Sequence, residues 1–183
     1  MEKSLQSLGY LVGLVLVTFF VAMIAERKIS SYNHELSLFK TYPSSKVVEK
    51  ELECMALNIY REAGNEPFEG KVAVAQVTLN RVDSGLFPDS VCEVVYQKTK
   101  FTEKVVCQFS WYCDSVHRTR PINNASYQES YNVAKKVLLE GFRLDSIKDA
   151  LYYHADYVNP NWRYKKVAKI GTHIFYKDPR HEL

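Results

Sequence analysis

Between residues 52 and 63 the apolar positions fall at Leu52, Met55, Ala56, Ile59, Tyr60 and Ala63. This i, i+3, i+4, i+7, i+8, i+11 series predicts a helix with one buried stripe. Gly64 suits a left-handed C-cap, and Pro67 can open the next helix. Residues 68–82 contain "VAVAQV", apolar on nearly every side, and predict a helix at the domain centre. Capping-box patterns at "SVCE" (Ser90 to Glu93) and "SYQE" (Ser126 to Glu129) predict two further helix starts, with Gly141 closing the second. Later, "ALYYHA", "VAKIG" and "HIFYK" are short and aromatic or alternating, and predict strands with Gly171-Thr172 as the last turn. The pattern predicts an α+β domain, mainly helical, with a small C-terminal β element.

One charge interrupts the first stripe. At about 100° per residue, Glu62 falls roughly 80° from the stripe's centre, on the rim of the buried face. Loss of water there would disfavour the carboxylate and raise its pKa towards the range of a general acid. The plainer possibility is a solvated helix edge at which Glu62 pairs with Arg61, Arg81 or Lys71. Periodicity alone does not separate the two.

Upstream, residues 8–25 carry no charge and are followed by Glu26, Arg27 and Lys28. Eighteen residues can just span a bilayer, so residues 1–28 are expected to form a single-pass membrane anchor with one transmembrane helix. A signal peptide is the rival, weakened by a sparse basic n-region and by Met23-Ile24-Ala25 as a cleavage site. Residues 29–46, polar with one proline, read as a linker, and residues 47–183 as the folded domain.

The chain has 183 residues and a formal net charge of +3, which suits one domain and gives no indication of nucleic acid binding. Its four cysteines, Cys54, Cys92, Cys107 and Cys113, all follow the apolar run. An even set beyond a membrane segment points to an oxidising compartment, placing the domain on the extracytoplasmic side. Three pairings are open, and Cys107 with Cys113, bracketing "QFSWY", ranks first. Zinc is disfavoured by the ligand spacing. A peptidase built on Cys54, with His154 or His173 as base, is disfavoured by the even count.

Two later segments mix polar and aromatic residues: "QFSWYCD" (Gln108 to Asp114) and "LYYHADYVNPNW" (Leu151 to Trp162). Such mixtures can stack sugar faces and hydrogen-bond their substituents, although aromatics also build cores.

Taken in order, "CMALNIYREAGNEPFEGKVAVAQVTLNRV", "FPDSVCEVVYQ", "CQFSWYC" and "KIGTHIFY" resemble the SleB/CwlJ-type cell-wall hydrolase family over residues 52–176. The resemblance implies a lysozyme-like catalytic domain acting on the peptidoglycan glycan strand, at the β-1,4 bond between N-acetylmuramic acid and N-acetylglucosamine. It also implies that the glutamate of Tyr60-Arg61-Glu62-Ala63 is the catalytic acid. Together with the polar-aromatic mixture it places Gln108, Ser110, Tyr152, His154 and Phe175 as substrate-binding residues along a cleft. No metal or other cofactor is expected. A two-carboxylate glycosidase would need a partner for Glu62, and no motif distinguishes Glu66, Glu69, Asp114 or Asp156. A lytic transglycosylase needs one carboxyl group and is the preferred expectation. A muramidase-type hydrolase and a non-catalytic glycan-binding domain are the alternatives.

Overall fold

The computed structural model describes residues 17–29 and 45–180, and its contacts divide the chain between Val47 and Val48. In the first unit, residues 17–29 form helix α1. Residues 26–28 of that helix are Glu26, Arg27 and Lys28. Among the described residues no helix is long and apolar enough to cross a membrane. This overturns the expected single-pass anchor and the membrane-anchored localisation built on it. Residues 8–16 of the apolar run, and residues 30–44 of the expected linker, lie outside the described residues.

The second unit is α+β. Helix α2 (Ser45–Ala63) presents the expected stripe, with Met55, Ala56 and Ile59 fully buried. Gly64 is not left-handed as expected: a Cβ there would lie 2.5 Å from the Tyr60 carbonyl oxygen, so lack of space requires the glycine. Helix α3 (Phe68–Asp83) is buried from Gly70 to Arg81 because it lies between two cores. Val72, Ala75 and Leu79 pack with α2, helix α4 (Val91–Val95) and helix α7 (Asn124–Leu138). Ala73 and Val77 pack with Ile147, Ala150 and Phe175. Each large apolar side chain buried here contributes about 1.5–3 kcal/mol.

The polar residues of α3 satisfy backbone groups that burial would otherwise leave unpaired. Gln76 Nε2 donates to the Leu144 carbonyl at 3.1 Å and Gln76 Oε1 accepts from Leu144 N at 2.7 Å. Asn80 Nδ2 donates to the Ile147 and Ala150 carbonyls. These bonds bring residues 144–151 onto α3 and aim the following strand.

Strands β3 (Tyr152–Ala155), β4 (Lys165–Ile170) and β5 (His173–Lys177) form an antiparallel sheet in the order β3-β5-β4. Gly171 turns β4 into β5 with φ +57°, a backbone state that favours glycine. A hairpin, β1 (Lys98–Phe101) and β2 (Lys104–Cys107), was not foreseen. Residues 98–100 and 104–106 are all exposed, so no alternation of burial marks it in the sequence. Short helices α5 (Ser110–Cys113) and α6 (Ser115–Thr119) follow.

Ser90 caps α4 as expected, accepting from Glu93 N and donating to Glu93 Oε2. Ser126 does not cap α7. Asn123 does, its side chain accepting from Ser126 N, which moves that start three residues upstream. Two disulfides close the unit, Cys54–Cys92 joining α2 to α4 and Cys107–Cys113 joining β2 to α5. With no cysteine free, both the zinc reading and the cysteine peptidase reading fall.

Candidate functional site

Glu62 sits in the last turn of α2, half-buried, facing the sheet. Tyr153 Oη, from the centre of β3, donates to Glu62 Oε2 at 3.2 Å. Desolvation by burial raises the Glu62 pKa above the ordinary carboxylate value, and the Tyr153 hydrogen bond and the Arg81 charge oppose the rise without cancelling it. Burial and the adjacent carboxylate also push the Tyr153 phenol well up, so it remains a donor. The solvated ion pair weighed from the sequence is not formed by Arg61 or Lys71. Arg61 Nη2 donates to the Arg118 and Arg120 carbonyls, and Lys71 Nζ to the Glu66 carbonyl and Glu129 Oε1.

Arg81 is a buried cation, 4% exposed, that organises the neighbouring wall. Its Nε donates to the Leu151 carbonyl at 2.8 Å, which seats the start of β3. Its guanidinium lies over the rings of Phe87 and Phe109, 5.3 and 5.1 Å from their centroids. Gln108, in the amide orientation that satisfies both groups, accepts from Arg81 Nη1 and Nη2 at 3.2 Å each. Gln108 thus joins the wall beside Glu62 through Arg81.

The rest of the "QFSWY" segment is pinned from below. Trp111, 5% exposed, donates from Nε1 to Asn58 Oδ1 at 3.0 Å, and Asn58 Nδ2 donates to Thr78 Oγ1. Ser110 is exposed at the start of α5. Asn58 gives a specific reason for a polar residue inside the α2 stripe, and it was missed because its partner lies 53 residues away.

Glu66 secures the opposite end of the sheet. Its Oε2 accepts from Thr172 N at 3.0 Å, and its Oε1 accepts from the Thr172 hydroxyl. Burial opposes its ionisation, but those bonds and the nearby His173 hold its pKa below the ordinary value. His173 is 7% exposed and meets the Tyr153 ring edge-on at 5.2 Å. Glu66, Thr172, His173 and Tyr153 form a packed path from the β4–β5 turn to Glu62.

Strand alternation separates the predicted substrate-binding residues. Tyr153 points towards Glu62, so Tyr152 and His154, one position either side, project from the opposite face of β3. Tyr152 stacks on Tyr164 with centroids 4.0 Å apart, and His154 Nε2 lies 2.8 Å from Tyr176 Oη. Phe175 is fully buried in the core beneath Tyr153, at 5.6 Å between centroids, so it supports that residue and presents no surface to a ligand. No spacing in the sequence singles out Tyr153 from its neighbours, because the residue of β3 that faces Glu62 is set by the pairing of β3 with β5.

The other carboxylates are engaged elsewhere or exposed. Asp114 caps α6 and pairs with His117, Asp156 pairs with Lys169 at 2.8 Å, and Glu69 lies exposed in the first turn of α3. Among the described residues no group of three or more His, Cys, Asp or Glu side chains is arranged to hold a metal ion.

This geometry can be set beside known proteins. A spore cortex-lytic enzyme of Oceanobacillus iheyensis is 32% identical over 133 residues, covering 70% of this chain and 42% of that protein. The Bacillus subtilis enzyme of the same name is 31% identical over 133 residues, covering 68% of this chain and 37% of that protein. The chain therefore spans about two fifths of the length of these relatives. Among solved structures, the catalytic domain of the Bacillus cereus SleB protein matches with TM-score 0.51 and 29% identity, over 70% of this chain and 91% of that one. The catalytic domain of the germination-specific lytic transglycosylase SleB from Bacillus anthracis matches with TM-score 0.52 and 28% identity, over 75% of this chain and 98% of that one. The family model described as Cell Wall Hydrolase matches residues 65–176, beginning just after Glu62. The chain belongs to the Cell Wall Hydrolase family.

Proposed function

We propose that the chain is a peptidoglycan-degrading lytic transglycosylase in which Glu62 serves as acid and then as base. The observation that carries this reading is the half-buried Glu62, its pKa raised by desolvation and its Oε2 held by Tyr153. Such a group keeps its proton to a higher pH than an exposed carboxyl and presents it in a fixed direction, which general acid catalysis needs. The similar spore cortex-lytic enzymes, and the similar fold of a lytic transglycosylase, support this substrate class.

The bond cut is the β-1,4 link from N-acetylmuramic acid to N-acetylglucosamine. Protonated Glu62 gives its proton to the glycosidic oxygen as the bond to the muramic acid anomeric carbon breaks. The Glu62 carboxylate then takes the proton of the muramic acid C6 hydroxyl, whose oxygen closes on that carbon. A 1,6-anhydro sugar leaves, and Glu62 is protonated again. A single carboxyl group suffices, which agrees with the engagement of Asp114 and Asp156 elsewhere.

Replacement of Glu62 by Gln keeps the side chain's shape but removes the transferable proton. Activity on purified peptidoglycan is expected to fall by at least ~10²- to 10⁴-fold. Mass spectrometry of wild-type products should show 1,6-anhydro-muramic acid ends. Reducing ends alone would reject transglycosylation in favour of hydrolysis, and an active Glu62→Gln enzyme would reject both.

A further inference from the structure

The face of the sheet that points away from Glu62 is unusually aromatic. Tyr152, Tyr164 and Tyr176 are half-buried there, and Trp162 is 41% exposed. The Trp162 ring stands at 64° to Tyr152, 65° to Tyr164 and 83° to Tyr176, with centroids 5.7–6.2 Å apart. These edge-to-face contacts fix the indole while leaving part of it open. The same face carries Lys166, paired across the sheet with Tyr176, and Arg163 precedes Tyr164. Arg163 and Lys166 are exposed, and neither forms an ion pair among the described residues.

An exposed indole set among fixed phenol rings offers apolar faces to pyranose rings, and the unpaired cations offer partners for carboxylates. A glycan strand bearing carboxylates on its peptide substituents has both features. The surface is also continuous with the catalytic side. Phe87 lies under the Arg81 guanidinium and 6.2 Å from the Tyr152 ring, and β3 is an edge strand. An aromatic ridge therefore runs from the Arg81 wall around the sheet edge to Trp162.

We propose that Tyr152, Trp162, Tyr164 and Tyr176, with Arg163 and Lys166, form a second glycan-binding surface that holds the peptidoglycan strand outside the Glu62 site. This inference depends on the substrate class proposed above but not on Glu62 as the acid. It assigns Tyr152 to holding the polymer rather than to placing the scissile bond.

The test is co-sedimentation of the full chain with purified peptidoglycan sacculi, in a Glu62→Gln background so that the polymer persists. Trp162→Ala with Tyr164→Ala should weaken binding about tenfold, equivalent to ~1.4 kcal/mol. Trp162→Phe, which keeps a flat ring, should retain most of it. Arg163→Glu with Lys166→Glu tests the same surface at exposed positions that folding tolerates, and should weaken binding most at low salt. If the aromatic and the charge-reversed proteins, both folded by circular dichroism, pellet as well as their parent, the surface is not a glycan site. Pelleting without sacculi would make this face an interface between copies and would also overturn the proposal. A parent that does not pellet rejects the surface alone, because cleavage by the wild-type chain is read separately.

Discussion

The two disulfides should differ in what they do. Cys54–Cys92 closes a sequence separation of 38 residues and Cys107–Cys113 one of 6. In the chain-entropy model, cross-linking over those loops stabilises by about 4 and about 2 kcal/mol respectively. For a domain of this size each kcal/mol moves the thermal midpoint by roughly 3–4 °C. Cys54→Ala with Cys92→Ala should therefore lower the midpoint by roughly 12–16 °C, and Cys107→Ala with Cys113→Ala by roughly half as much. Activity should follow the opposite order when each variant is assayed well below its midpoint. The short disulfide ties down the segment that carries Gln108 against Arg81 and Trp111 against Asn58, whereas the long one joins α2 to α4 at buried sites. Scanning calorimetry and turnover on peptidoglycan measure the two effects. An equal or larger stability loss on removing Cys107–Cys113, or full activity without it, would refute the reasoning.

Tyr153→Phe removes the hydrogen bond that favours ionised Glu62, so the Glu62 pKa should rise further and, with Glu62 in the proposed role, the alkaline limb of the pH–rate profile should move to higher pH; a limb that stays in place rejects that role or its coupling to Tyr153. Because the folded-state pKa of Glu62 lies above the unfolded value, its stabilising contribution is complete below the unfolded pKa and is lost as pH rises through the folded one. Glu62→Gln should accordingly raise the thermal midpoint at pH 7, with the gain shrinking in acid; a variant less stable than wild type at pH 7 contradicts this. Gly171→Ala should destabilise the unit by more than ~1 kcal/mol, because φ is +57° and the added Cβ would fall 1.8 Å from Glu66 Oε2; urea titration is the check, and an unchanged midpoint would rule it out.

The elements legible in the residues alone are those set by short-range periodicity. The α2 stripe, the all-round burial of α3 and the three C-terminal strands are written in residue spacings, because a helix or strand repeats its environment every few residues. Glu62 stood out for the same reason, as a charge at the rim of an apolar series. Its environment did not, since Tyr153, 91 residues away, is brought to it only when β3 pairs with β5 over Phe175. The face on which Tyr152 and His154 project was decided by that same registration, because a one-residue offset exchanges the two sides of a strand. The apolar run near the N-terminus shows the limit of composition. Its uncharged length suggested a membrane span, whereas among the described residues no helix is long and apolar enough to cross a membrane. Cysteine count made disulfides readable, while the choice of Cys92 for Cys54 required α4 to pack against α2. Tertiary packing decided these points because it joins distant residues, and no local spacing encodes which distant residues will meet.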